Sequence, residues 1–108
     1  MKTFRVITCL LGLTNSAHAE DVAAFVLQPS GTYTKTVQAI SAEESTVDLF
    51  ATPDITCSLQ TKDHGGRILC TVSGVDFGII VDCSKADRRT AFMYMGKRAL
   101  ALNCQAND

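Results

Sequence analysis

The sequence predicts a small all-β protein, an antiparallel sandwich or partly open barrel with about five to seven short strands and two disulfides. Three observations support this prediction. Apolar residues alternate with polar ones along most of the chain after residue 46, which is the spacing of half-buried strands. Short glycine-containing segments separate these runs, as hairpin turns require. Four of the five cysteines share the phase of the aliphatic residues.

Length and charge limit what the chain can be. Its 108 residues allow one domain, which excludes dinucleotide-binding and barrel enzymes of about 200 residues or more. A hydrophobic content of 46% with 19% charged residues indicates a folded chain. The net charge of −1 gives no field that would recruit nucleic acid or an anionic membrane.

Residues 1–19 have the pattern of a secretory signal peptide. Two basic residues precede an eight-residue apolar run, Val6 to Leu13, and the small residues Ala17 and Ala19 suit signal peptidase. The run is too short for a spanning helix, which needs about twenty residues. We therefore expect cleavage before Glu20 and a periplasmic or secreted protein that is not embedded in a membrane.

Cleavage would remove Cys9 and leave an even number of cysteines. The remaining 89 residues carry eight basic and eleven acidic side chains, a net charge of −3. Their four cysteines are separated by twelve, twelve and twenty residues, without the close pairs that structural zinc sites use. We therefore predict two disulfides, no metal and no cofactor. The predicted disulfide cysteines are Cys57, Cys70, Cys83 and Cys104.

The first part of the mature chain, residues 20–46, is predicted to be an N-terminal arm or a first hairpin. Residues 22–28 and 32–40 are rich in strand-forming residues and flank a Pro-Ser-Gly turn. A Ser-x-x-Glu capping spacing follows, so we expect one short helical turn near residues 41–46.

Residues 47–108 form the predicted disulfide-linked β domain. Breaks are expected at residues 62–66, between Gly74 and Gly78, and at residues 84–89, with a tight turn at Gly96-Lys97. The inward face then comprises, in chain order, Ile55, Cys57, Leu59, Ile68, Cys70, Val72, Ile79, Val81, Cys83, Leu100, Leu102 and Cys104.

Two disulfide pairings fit this alternation. Either Cys57 pairs with Cys70 and Cys83 with Cys104, or Cys70 pairs with Cys83 and Cys57 with Cys104. Both place aliphatic residues opposite aliphatic residues across a hairpin. The first is favoured because it links one local unit on each side of Gly74.

Several segments of residues 50–108 follow a known pattern. Phe50–Cys57 reads F-A-T-P-D-I-T-C, Gly66–Cys70 reads G-R-I-L-C, and Ala99–Cys104 reads A-L-A-L-N-C. These segments resemble the F-x-S/T-P opening and the cysteine-bearing strands of small secreted bacterial four-cysteine domains of unknown function. The resemblance implies an exported β-rich architecture with paired cysteines.

No catalytic residues are predicted. His64 follows Asp63 and precedes two glycines, a composition typical of a hairpin turn. The chain has no G-x-S-x-G motif, and the mature cysteines are assigned to disulfides. We therefore predict a protein that is not an enzyme.

If the protein has a partner site, it is expected around residues 88–98. Phe92, Met93, Tyr94 and Met95 make both faces of one strand apolar, so the strand is either buried between two layers or docks a partner. Burial is the expected outcome. The residues singled out for partner binding are His64, Arg88, Arg89, Tyr94, Lys97 and Arg98.

The predicted function is an exported non-enzymatic binding module that recognises a protein or an envelope component, and not nucleic acid. One version is a hydrolase inhibitor, because Ser30-Gly31-Thr32-Tyr33 is similar to the Ser-Gly-x-x-Tyr loop of periplasmic lysozyme inhibitors, with the tyrosine one residue early. The alternative is a secreted effector or small hydrolase.

Overall fold

A computed structural model describes residues 20–106 and contains eight strands and one short 3₁₀ turn. The predicted signal peptide, with Cys9, lies outside the described residues. The strands are β1 (Glu20–Leu27), β2 (Tyr33–Ala39), β3 (Ser45–Ala51), β4 (Ile55–Lys62), β5 (Gly65–Val72), β6 (Val75–Asp82), β7 (Thr90–Met95) and β8 (Arg98–Ala106), and the 3₁₀ turn is Ala86–Arg88.

The strands form two four-stranded antiparallel sheets. Sheet I has the order β2-β1-β8-β7, and sheet II has the order β3-β4-β5-β6. The predicted all-β sandwich is confirmed, with eight strands where five to seven were expected. Within residues 20–106 no helix has the length and apolar character needed to cross a membrane.

The core lies between the sheets and takes residues from both. Leu59 and Ile68 of sheet II and Leu100 and Leu102 of sheet I are each 0% exposed. Burying a side chain of this size contributes about 1.5–3 kcal/mol. The remaining core residues are Val22, Ala24, Val26, Cys57, Cys70, Val81 and Met95.

The hairpin of β4 and β5 has the predicted register. Cys57 lies opposite Cys70 and Leu59 opposite Ile68, so each inward residue meets another inward residue. The Cys57–Cys70 disulfide crosses this hairpin, with the Cα atoms 4.1 Å apart. The alternative pairing of Cys70 with Cys83 is wrong, because Cys70 lies opposite Phe77.

The second disulfide joins the two sheets. Cys83 directly follows β6 of sheet II, Cys104 belongs to β8 of sheet I, and their Cα atoms are 5.7 Å apart. The favoured pairing is thereby confirmed. The two bridges have different roles, one within a sheet and one between sheets.

The predicted break between Gly74 and Gly78 is wrong. Ser73 and Gly74 have φ of 50° and 83° and complete a two-residue turn between β5 and β6, which is the geometry that suits a tight hairpin. The strand β6 therefore begins at Val75 and runs through Gly78. A Cβ on Gly78 would collide with the backbone carbonyl of Ile68, so this glycine permits close strand approach rather than ending the strand.

The helical turn expected near residues 41–46 is also wrong. This segment bends at residues 42–43, and β3 begins at Ser45. The Ser41 hydroxyl donates to the Glu43 carbonyl (3.1 Å) instead of capping an amide. The Ser41 carbonyl accepts the Asp63 amide (2.8 Å), which attaches the segment to the β4–β5 turn as it passes from sheet I to sheet II.

Candidate functional site

The outer faces of the two sheets differ in chemistry. Sheet II presents mainly hydroxyl, amide and charged side chains, and some of these bond to one another across strands. Arg67 donates to Gln60 (2.7 Å) and Thr71 to Asp76 (2.6 Å). Such a polar face is expected for an antiparallel sheet that meets water on one side.

Sheet I carries apolar side chains on its outer face. The register places Tyr33, Leu27, Ala99 and Tyr94 in one row across the four strands, and Lys35, Phe25, Ala101 and Phe92 in the next. We call the surface formed by these two rows the aromatic face. An exposed apolar surface of this kind typically marks an interaction site.

The aromatic face is open to solvent. Tyr94 is 74% exposed, Phe92 67% and Tyr33 64%. With Leu27 and Phe25 these side chains leave on the order of 500 Å² of surface open, comparable to the largest patch of a typical monomer, about 300–600 Å².

The aromatic rings form two ridges. Phe25 and Tyr33 lie 6.3 Å apart between ring centroids, and Phe92 and Tyr94 lie 6.0 Å apart. The strand β8 runs between these ridges and presents only the methyl groups of Ala99 and Ala101. The strands β1 and β7 are two strand spacings apart, about 10 Å. Ala99 and Ala101 therefore form the floor of a shallow trough between the two ridges.

The charged groups of the aromatic face are basic. The Lys35 ammonium lies 5.6 Å from the centroid of the Phe25 ring, and Lys97 is exposed in the turn between Tyr94 and Ala99. Among the described residues, neither row of the face contains a carboxylate. Residues 20–106 as a whole hold eight basic and ten acidic side chains. The aromatic face is therefore positively charged, whereas the rest of the described chain has a negative net charge.

The structure corrects the expectation that the strand at residues 90–95 is buried on both sides. Met93 and Met95 point into the core, with Met95 5% exposed, whereas Phe92 and Tyr94 face solvent. The physical reason is that the sandwich has two layers, so β7 has sheet II on one side and solvent on the other.

The turn Gly96-Lys97 is confirmed, and its two basic residues have different surroundings. Gly96 has φ of 62°, and Lys97 is exposed beside the aromatic face. Arg98 is half-buried: it donates to Gln28 (2.9 Å), and its guanidinium lies 4.9 Å from the centroid of the Phe50 ring of sheet II. Arg98 therefore packs the sheets together at this end.

Arg88 and Arg89 lie near the other end of β7. Arg89 donates from both terminal nitrogens to the Glu20 carboxylate, at 2.9 and 3.1 Å, and also to the Cys83 carbonyl. The hydrogen bonds to Glu20 raise the pKa of Arg89. Arg88 is exposed on the 3₁₀ turn. The arginine pair at residues 88–89 and the basic residues Lys97 and Arg98 therefore lie at opposite ends of β7 and do not form one site.

His64 is exposed in the two-residue turn between β4 and β5, beside Asp63, which has φ of 60°. It borders two open depressions of about 500 and 390 Å³. Its carbonyl accepts the Cys83 amide (2.7 Å). Nearby, the Ser84 hydroxyl donates directly to Asp82 (2.6 Å) and lowers the pKa of that carboxyl. A nucleophilic serine would instead donate to a base such as imidazole.

One group of metal-ligating residue types converges within residues 20–106, formed by Glu20, Cys83 and Cys104. The two sulfurs are joined in a disulfide and cannot bind metal as thiolates. The carboxylate is bound to Arg89. This group is therefore accounted for by structural contacts.

Sequence reasoning singled out Tyr94 and Lys97 for partner binding and named Tyr33 only as part of a loop similar to that of lysozyme inhibitors. It missed Phe25 and Leu27. The strand β1 reads apolar on both faces, so its pattern does not reveal which face meets solvent. Only the order β2-β1-β8-β7 brings these side chains to one surface with Tyr94.

Comparison with protein-family models, with curated proteins and with solved structures finds no significant match to this chain. Membership in the four-cysteine domains therefore stays a prediction.

Proposed function

We propose that this protein is an exported, non-enzymatic binding module that recognises a protein or an envelope component through the aromatic face. The observation that carries the proposal is the group of three aromatic rings, each at least 64% exposed, on one face of sheet I. Aromatic side chains supply much of the energy in protein interfaces. Their grouping into one contiguous exposed patch is typical of a surface that docks a partner.

The scaffold suits this role. The face lies on four paired strands, and a disulfide fixes sheet I to sheet II. A rigid surface loses little conformational entropy on binding. The disulfides also fit an oxidising compartment, which agrees with the signal peptide predicted for residues 1–19.

Hydrolase inhibition is one version of this function. The loop between β1 and β2 is closed by the Gln28 amide, which donates to the Thr32 carbonyl (2.8 Å), and contains Gly31 with φ of 93°. Its Ser-Gly-Thr-Tyr segment ends at Tyr33, whose ring belongs to the aromatic face. A hydrolase bound to the face would therefore lie next to this loop.

Site-specific photo-crosslinking tests the proposal. A photoreactive residue replaces Tyr94 in one variant and Ile80 in another, and both proteins are exported in the native host. Ile80 is 68% exposed on the outer face of sheet II, so it controls for exposed apolar surface alone. We expect a discrete adduct from position 94, none from position 80, and loss of the adduct when Phe92→Ser is added. Equal adducts at both positions, or none, would contradict the proposal.

A further inference from the structure

The geometry points to the occupant of the aromatic face: a protein segment that places apolar side chains in the Ala99–Ala101 trough and carboxylates beside Lys35 and Lys97. This inference rests on the proposed function and adds the chemistry of the partner. It is supported by the shape of the face and by its charge.

The shape favours protruding side chains over flat sugar rings. The Phe92 and Tyr94 ring planes are at 89°, and those of Phe25 and Tyr33 at 43°. A platform for a polysaccharide needs rings that lie in one plane, together with many hydrogen-bonding groups. Here the floor between the ridges consists of methyl groups, which suits an apolar side chain of a peptide or protein.

The positive charge of the aromatic face predicts negative charge around the partner's binding surface. Lys35 and Lys97 flank the apolar surface on opposite edges of sheet I, while acidic side chains outnumber basic ones over the described chain as a whole. Charges at the rim of an interface select partners and speed association. A partner with Asp or Glu beside its apolar residues therefore complements this face.

The same charges disfavour two other occupants. A second copy would bring the lysines of both chains to one interface, where neither aromatic face supplies a carboxylate, and like charges in contact oppose association. An anionic membrane is disfavoured because two lysines are fewer than the clusters of about four to eight basic residues that bind lipid headgroups. The acidic excess of the described chain also opposes its approach to such a membrane.

Selection from a random displayed peptide library tests the inference. The mature protein is the target. Peptides that also bind the Phe92→Ser/Tyr94→Ser variant are discarded, because their binding does not depend on the aromatic face. We expect the enriched peptides to combine an aromatic or aliphatic centre with flanking Asp or Glu. Binding of a synthesised enriched peptide should weaken about tenfold or more in the Phe92→Ser/Tyr94→Ser variant, and it should be unchanged by Ile80→Ser.

Charge reversal separates this inference from the proposed function. The Lys35→Glu/Lys97→Glu variant should lose about threefold or more of its affinity for the acidic peptide, and the wild-type interaction should weaken as salt is added. Face-dependent peptides without an acidic excess, or unchanged binding on charge reversal, would overturn the inference and leave the proposed function standing.

Three further outcomes would also overturn the inference. Binding of the protein to insoluble polysaccharide, or to vesicles containing anionic lipid, in a manner abolished by Phe92→Ser/Tyr94→Ser would assign the face to that class of ligand. A dimer in sedimentation that the same variant dissociates would assign it to a second copy. Absence of any face-dependent peptide would count against both the inference and protein recognition.

Discussion

Individual side chains form hydrogen bonds between elements that lie far apart in the sequence. Arg89 links Glu20 at the start of sheet I to the carbonyl of Cys83. Gln38 of β2 donates to Thr61 of β4 (3.1 Å), which satisfies a buried hydroxyl between the sheets. These contacts connect the two sheets, and they attach the segment that follows β6 to the start of β1.

The turn after β6 contains a pH-dependent contact. The Ser84 hydroxyl and amide both donate to Asp82, at 2.6 and 3.0 Å, and the hydroxyl is the main cause of the lowered pKa of that carboxyl. Because the folded pKa lies below the ordinary 3.8, the contact stabilises the fold above that pH. Its contribution is lost as the pH falls through the folded pKa.

Replacement of Ser84 by alanine should return the pKa of Asp82 toward its ordinary value. The measurement is a titration of the Asp82 carboxyl carbon by NMR. Ser30→Ala, on a distant loop, is the matched control and should leave the titration unchanged. An unaltered Asp82 titration in Ser84→Ala would show that the hydrogen bonds do not persist in solution.

The two faces of β7 have different roles. Met95 is 5% exposed and packs in the core, while Tyr94 is 74% exposed on the aromatic face. Both residues are large and apolar, so their adjacent positions in the sequence do not distinguish the two roles.

Truncation of these neighbours should therefore have unequal effects on stability. Met95→Ala should lower the free energy of unfolding by about 2–5 kcal/mol. Tyr94→Ala should lower it by about 1 kcal/mol or less, because it removes only the edge contact with Phe92. Urea unfolding of both variants gives the comparison. Equal losses would mean that β7 is covered on both sides.

The sequence alone predicts the position and register of some elements correctly and of others incorrectly. The β4–β5 hairpin was predicted in register because Leu59, Ile68 and the two cysteines share one phase across a short turn. The start of β6 is predicted too late in the chain because Gly78, which lies within the strand, is interpreted as a turn residue. The aromatic face was predicted only in part, at Tyr94 and Lys97, since its other half depends on which strand neighbours β8.

The two sheets are joined covalently at one end of the molecule. Cys83–Cys104 connects the end of β6 to β8, and the Cys104 amide donates to the Arg89 carbonyl (2.9 Å). The segment between Cys83 and Arg89 is therefore fixed at both ends. Cys57–Cys70 lies within sheet II and does not constrain the sheets relative to each other.

Removal of the inter-sheet bridge should loosen that segment specifically. Cys83→Ser/Cys104→Ser should lower the free energy of unfolding by about 2–4 kcal/mol and increase amide hydrogen exchange at residues 83–89. Cys57→Ser/Cys70→Ser is the control, and it should reduce stability without raising exchange there. The same exchange pattern in both variants would contradict the different roles assigned to the two bridges.

We propose that a partner covers the aromatic face in the cell, and oxidative footprinting of the protein in the cells that produce it tests this claim. Modification of each side chain is compared with that of the purified protein. We predict that Tyr33, Phe92 and Tyr94 are protected in place, whereas Ile80 and Val75, exposed at 68% and 62% on sheet II, react equally in both samples. Equal reactivity of the three aromatic residues in both samples would contradict the claim.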